Sequence, residues 1–151
     1  DIPFKAIDMP YGRTSESTPR TPDPGQNAGL LARVAPPDAV LIGASLGGYI
    51  ALKHCVAHPA AGIMLVSPVM SLQGELAAHY GAFSMEVSII YGKEDNVVHI
   101  EEIRRLARLL NTEVRIYENA EHAAYMDQPE LFKKDVIDFY AHVSRENRTP
   151  R

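Results

Sequence analysis

The chain has 151 residues, of which 46% are hydrophobic and 23% charged, with a formal net charge of −4. This balance is expected of a globular domain and gives no basis for binding nucleic acid or an anionic membrane surface. The lone cysteine, Cys55, excludes an internal disulfide and a cysteine-built metal site, and no apolar run approaches the roughly 18 residues of a membrane span. A single domain over residues 1–151 is expected. No secretory leader is visible, so the expected location is cytoplasmic. The first residue, Asp1, is not Met, which suits a fragment or a processed product.

Pro3-Phe4-Lys5-Ala6-Ile7 reads as a short, weakly patterned first strand, and the Ser/Thr/Pro-rich stretch from Thr14 to Gln26 as a loop. A short helix from Gln26 to Val34 is stopped by Pro36-Pro37. The apolar run Ala39-Val40-Leu41-Ile42 then meets Gly43-Ala44-Ser45-Leu46-Gly47-Gly48. This is the pattern strand, abrupt turn, helix, with serine at the apex of a G-x-S-x-G sequence. Gly43 and Gly47 lack a Cβ and are expected to let strand and helix approach, and Gly48 to help the helix pack. That helix is expected over about 46–57, with Pro59 closing it.

Gly62-Ile63-Met64-Leu65-Val66 is uninterrupted apolar sequence, as in a strand buried on both faces. The connection 67–84 has room for one short helix near Gly74–Tyr80. Val87–Tyr91 and Glu113–Tyr117 read as further strands, separated by an amphipathic helix over 99–111. In that helix Glu101 and Arg105 have the spacing of an acid-first pair. The last helix runs from Pro129 to about Val143 and turns Leu131, Val136, Phe139, Tyr140 and Val143 to the sheet. Strands alternate with helices, so the fold class is α/β: a mostly parallel sheet of about five strands, with helices on both faces.

An acid, Asp95, follows one strand in Gly92-Lys93-Glu94-Asp95, and a histidine, His122, follows the next in Ala120-Glu121-His122. The chain order Ser45, Asp95, His122 and the elbow sequence resemble the α/β-hydrolase superfamily. So does Asp8-Met9-Pro10-Tyr11-Gly12-Arg13-Thr14-Ser15, which is similar to that superfamily's D-x-P-G-x-G-x-S segment. The resemblance implies Ser45 as nucleophile, His122 as its base and Asp95 as the group orienting the imidazole. Glu94, Glu118 and Glu121 are the rival acids, Glu118 foremost because it ends a strand. One oxyanion donor is expected to be the backbone N–H of Leu46. The other is normally supplied by a His-Gly loop, and no His-Gly precedes the elbow here. About three N-terminal strands of the complete fold are also missing. Either the chain is a fragment, or Met9 to Gly12 supply the donor.

The resemblance implies a shortened, lidless α/β-hydrolase fold that cleaves a small carboxylic ester or thioester. Loop position puts Met9, Tyr11, Val69, Met70 and Val97 against the substrate. No cofactor and no metal are expected. The expected partner is a small-molecule acyl substrate, not nucleic acid or membrane. A second copy or a missing N-terminal segment is expected over the exposed edge of the elbow strand unless Pro3–Ile7 docks there. Two other classes fit the same residues: a non-catalytic binding module derived from a hydrolase, and an acyltransferase or perhydrolase using the same three groups.

Overall fold

The computed structural model describes residues 2–7 and 24–146. Its elements are α1 (Pro24–Leu31), β1 (Val40–Ala44), α2 (Leu46–Ala57), β2 (Gly62–Val66), a 3-10 helix (Leu76–Ala82), β3 (Glu86–Gly92), α3 (Ile100–Leu109), β4 (Val114–Tyr117), α4 (Ala124–Asp127) and α5 (Pro129–Glu146). The strands form one parallel sheet in the order β1-β2-β3-β4. Each parallel step requires a crossover, and the helical segments between strands supply it.

Apolar side chains leave this sheet in both directions. On one face Leu41, Ile63, Leu65, Ile89 and Tyr91 pack with Ile50, Leu52, Ile103 and Leu106 from α2 and α3. On the other, Met64, Val66, Ile90 and Tyr117 meet Ala124 of α4 and Leu131, Phe132, Val136 and Phe139 of α5. Every residue of β2 is buried, as its unbroken apolar sequence requires. In α3 the buried residues are Ile103, Leu106 and Ala107. The charged face of that helix pairs Glu101 with Arg104 at 2.8 Å, one residue short of the expected Arg105.

Among the described residues four strands form, where about five are expected for the whole chain. Residues 2–7 take no strand conformation, and Phe4 is 90% exposed. Pro3 cannot donate to a ladder. A segment that leaves Phe4 in solvent and buries no side chain fully gains little to offset the entropy of ordering it. Pro3–Ile7 therefore does not dock on Ala39–Gly43, and among the described residues β1 ends the sheet, with Ile42 largely exposed.

The strand register prepares the site. Ala44 lies beside Val66, and Val66 beside Ile90. The residues that leave the sheet at its carboxyl edge, Ser45 from β1 and Ser67 from β2, therefore emerge at one level. Ligands and reactive groups collect at this edge in open α/β sheets. At the opposite, amino edge lies a cavity of about 690 Å³, lined among others by Cys55, His58, Phe83, Met85, Glu86 and Val143. It contains none of Ser45, Asp95 or His122. Burial pushes the Cys55 thiol up to about 11, so no thiolate nucleophile stands there at neutral pH.

Candidate active site

Ser45 has φ 51° and ψ −119°, a strained conformation for a residue with a Cβ. Its surroundings enforce it. The Ser45 amide donates to the Val66 carbonyl (2.9 Å), and its own carbonyl accepts from Gly48 (3.0 Å) and Val69 (3.3 Å). A Cβ on Gly43 would lie 2.4 Å from the Gly47 carbonyl oxygen, and one on Gly48 would lie 2.7 Å from the Pro68 side chain. Gly47 differs from its expected role: a Cβ there meets nothing within 4 Å. The close approach of strand and helix is thus permitted by Gly43 and Gly48. Leu46 opens α2, so its N–H belongs to the first turn, whose donors have no intrahelical acceptor.

The acid is held by its own loop. Asp95 Oδ1 accepts from the amides of Val97 (2.8 Å) and Val98 (3.1 Å). Behind that loop the buried Tyr91 hydroxyl donates to the Val98 carbonyl (2.8 Å) and, at 3.4 Å, to the Asp95 carbonyl. The histidine loop is pinned by three hydrogen bonds to two side chains. The Glu121 amide donates to Asp127 Oδ2 (2.8 Å), and the Gln128 side-chain amide to the carbonyls of Glu118 (3.0 Å) and Asn119 (3.4 Å). Gly92 lets the loop cross the end of β3, since a Cβ there would lie 2.0 Å from the Glu121 carbonyl oxygen.

The three side chains meet in one line. Ser45 Oγ lies 2.9 Å from His122 Nε2, and His122 Nδ1 lies 2.9 Å from Asp95 Oδ2. The Asp95 side chain is fully buried while that of His122 is 23% exposed, so one end of the chain is dry and the other reaches solvent. Burial pushes the Asp95 carboxyl up, but hydrogen bonds from His122 and the amides of Val98 and Val97, with a contribution from the Ser67 hydroxyl, together outweigh it. The carboxyl is held below its usual range, and it is an anion facing the imidazole at neutral pH. Among the rival acids, Glu118 pairs with Lys93 at 2.6 Å on the exposed surface, and Glu94 and Glu121 are exposed.

Of the expected substrate-lining residues, Val69 is half-buried beside the elbow, and Met70 follows it with φ 56°. Val97, on the Asp95 loop, is 59% exposed. Met9 and Tyr11, and with them the segment Met9–Gly12, lie outside the described residues. His54, in the last turn of α2, is buried and stacked on His58 at 4.8 Å between ring centroids. Desolvation, and to a lesser extent His58, lower its pKa, so it is a neutral packing residue.

Comparison with known proteins gives a consistent picture. The profile of the Phospholipase/Carboxylesterase family matches residues 23–146. The human protein ABHD14A is 30% identical over 145 residues, covering 91% of this chain and 53% of that protein. ABHD14B of Rattus norvegicus, whose name proposes protein-lysine deacylation, is 30% identical over 142 residues, covering 89% of this chain and 67% of that protein. The chain thus spans about half the length of ABHD14A and about two thirds of ABHD14B. Among solved structures, a CIB-like hydrolase of Thermoplasma acidophilum aligns with a TM-score of 0.69 at 25% identity, covering 85% of this chain and 66% of that one. The meta-cleavage product hydrolase CumD aligns with a TM-score of 0.72 at 14% identity, covering 88% and 77%, a likeness of fold alone.

Proposed function

The chain belongs to the Phospholipase/Carboxylesterase family of α/β hydrolases, and on that premise we propose that it is a serine hydrolase cleaving a small carboxylic ester or thioester. The observation that carries this reading is the unbroken relay Ser45 Oγ, His122, Asp95, with 2.9 Å at each contact. Serine is a weak nucleophile at neutral pH and needs a base within hydrogen-bond reach.

In this reading Ser45 Oγ attacks the acyl carbonyl carbon while its proton passes to His122 Nε2. Asp95 accepts from Nδ1–H, which fixes the tautomer and stabilises the imidazolium. The carbonyl oxygen becomes an oxyanion and takes the Leu46 N–H. On collapse the alcohol or thiol departs with the proton from His122. Water, deprotonated by the same imidazole, then attacks the acyl-enzyme, and the proton returns to Ser45 as the carboxylic acid leaves. The partly exposed Val97 and the half-buried Val69 and Met70 suit an open site for short acyl groups. Cytoplasmic location and a small-molecule substrate complete the reading. A second copy, or a further segment of a longer polypeptide, covers the β1 edge, and light scattering distinguishes a dimer from a monomer.

The direct test is a fluorophosphonate, which should add to Ser45 alone, with turnover of p-nitrophenyl acetate abolished in Ser45→Ala. Labelling of another serine, or an active Ser45→Ala variant, overturns the reading; no labelling at all favours a binding module. A second substrate class is suggested by the name of ABHD14B. Release of acetate from an acetyl-lysine peptide would extend the same acyl-enzyme chemistry to amides, and faster acyl transfer to added alcohols than to water would identify a transferase.

A further inference from the structure

β2 stands between the strand that carries the nucleophile and the strand that leads to the acid, and Ser67 is the first residue after it. Three observations converge on this residue. Its φ is 42°, in the left-handed region that glycine occupies at no steric cost. It is held there by its amide, which donates to the Ile90 carbonyl at 3.0 Å. Its side chain is fully buried, and among the described residues Oγ has no hydrogen-bond partner. A buried hydroxyl without an acceptor is costly, so a serine at a position suited to glycine calls for an explanation.

The Asp95 carboxylate supplies one. A carboxylate offers about four lone-pair sites. Oδ1 takes two amide donors and Oδ2 takes His122, leaving one site on the oxygen that faces the imidazole. The Ser45–His122–Asp95 line runs from the end of β1 to the loop after β3, past the exit of β2 where Ser67 emerges level with Ser45, and the Ser67 hydroxyl is among the groups favouring the charged form of this carboxyl. Hydrogen bonds of catalytic groups are commonly long or poorly aligned in the free enzyme and tighten as charge develops.

We propose that Ser67 is a positioning residue for the triad acid, its hydroxyl closing onto Asp95 from the exit of β2 as His122 becomes cationic. The inference rests on the Ser45–His122–Asp95 reading. Ser67 touches no substrate. It fixes the carboxylate in the imidazole plane and keeps the Nδ1 proton on His122 by making the acid a weaker base. The alternative is that Ser67 serves only the backbone turn, in which case glycine should do as well or better.

The experiment compares Ser67→Ala, Ser67→Gly and Ser71→Ala. Ser71 is a second buried serine of the same connection whose hydroxyl also lacks a partner, and it serves as the control. Both Ser67 variants should lose about tenfold in kcat on p-nitrophenyl acetate with KM little changed. Ser67→Gly should melt above Ser67→Ala, because it relieves the backbone, yet be equally slow. Ser71→Ala should keep its kcat. Independently of turnover, the Asp95 side-chain carboxyl followed by carbon-13 NMR should protonate at higher pH in both Ser67 variants and not in Ser71→Ala. A fully active Ser67→Gly, or an Asp95 titration unmoved by both Ser67 variants, overturns the proposal. An unmodified protein that hydrolyses no ester overturns the hydrolase reading instead, and the NMR titration still decides the role of Ser67.

Discussion

The two halves of the site are built by different physics. The elbow half is a steric construction: Ser45 is held at φ 51° because strand and helix backbones approach where Gly43 and Gly48 have no side chain. The acid–histidine half is a hydrogen-bonded construction. Two loops are tied by Tyr91, Val97 and Val98 on one side and by Asp127 and Gln128 on the other. Repulsion at contact distance rises steeply, so the elbow should tolerate almost no added atom at Gly43 or Gly48. Individual hydrogen bonds contribute a modest net amount each, so the loops should fail by degrees. Gly92 is the exception on the loop side, a steric constraint inside a hydrogen-bonded region.

The largest expected effect tests the relay that joins the halves. Asp95→Asn preserves shape and the loop amides but presents the wrong group to Nδ1, and should cut kcat by about 10⁴-fold with the fold retained, as read by circular dichroism and steady-state kinetics. A loss under about tenfold would mean that another acid orients His122. Next comes the steric contrast within the elbow. Gly43→Ala should cost about 3 kcal/mol or more in urea unfolding, because the new Cβ meets backbone that cannot rotate away. Gly47→Ala, whose Cβ meets open space, should stay within about 1 kcal/mol in the same titration. Equal costs for the two would undo the assignment of the close approach to Gly43.

Gly92→Ala should act on catalysis as well as stability. Its Cβ would displace the Ala120–Glu121 backbone, and a shift of about 1 Å in the loop bearing His122 is worth roughly 100-fold in rate. Unchanged kcat in a folded Gly92→Ala variant would show that the loop recovers its position. The smallest effect is on stability in acid. Asp95 has a folded pKa below the usual value. The stability it contributes is therefore complete above the unfolded pKa of about 3.9 and is lost as pH falls through the lower folded value. Thermal unfolding followed downward from about pH 5 should show this loss in the unmodified protein, and a shallower one in Asp95→Asn. Identical acid slopes would remove Asp95 from the account.

Much of the molecule is legible along the chain. Helix α2 was expected over 46–57 and β2 over 62–66, and they form at Leu46–Ala57 and Gly62–Val66, because an unbroken apolar run and a proline stop are local signals. The elbow could be read because steric demands on backbone leave glycines at fixed spacing. The likeness to the α/β-hydrolase superfamily is legible in the same motifs in the same order, and the family-model match bears it out. The distances among Ser45, Asp95 and His122 were not legible, since 77 residues separate the serine from the histidine and only the parallel register brings their strand ends level. Nor could the sequence distinguish Gly43 and Gly48 from Gly47, because which glycine has backbone in front of it depends on the angle at which α2 leaves the sheet. The supports of the site are not legible in the sequence for a related reason. Tyr91, Asp127 and Gln128 hold loops through backbone carbonyls and, for Asp127, a backbone amide, and a backbone group has no residue identity to betray it. Ser67 looked like any serine after a strand until β2 fell between β1 and β3. Pro3–Ile7 carried a strand-like pattern too weak to outweigh the entropy of docking. Local chemistry, written in residue types and spacings, determines the elements and the candidate reactive groups. Tertiary structure decided which of them meet, because contact across a sheet depends on register and packing rather than on any residue alone.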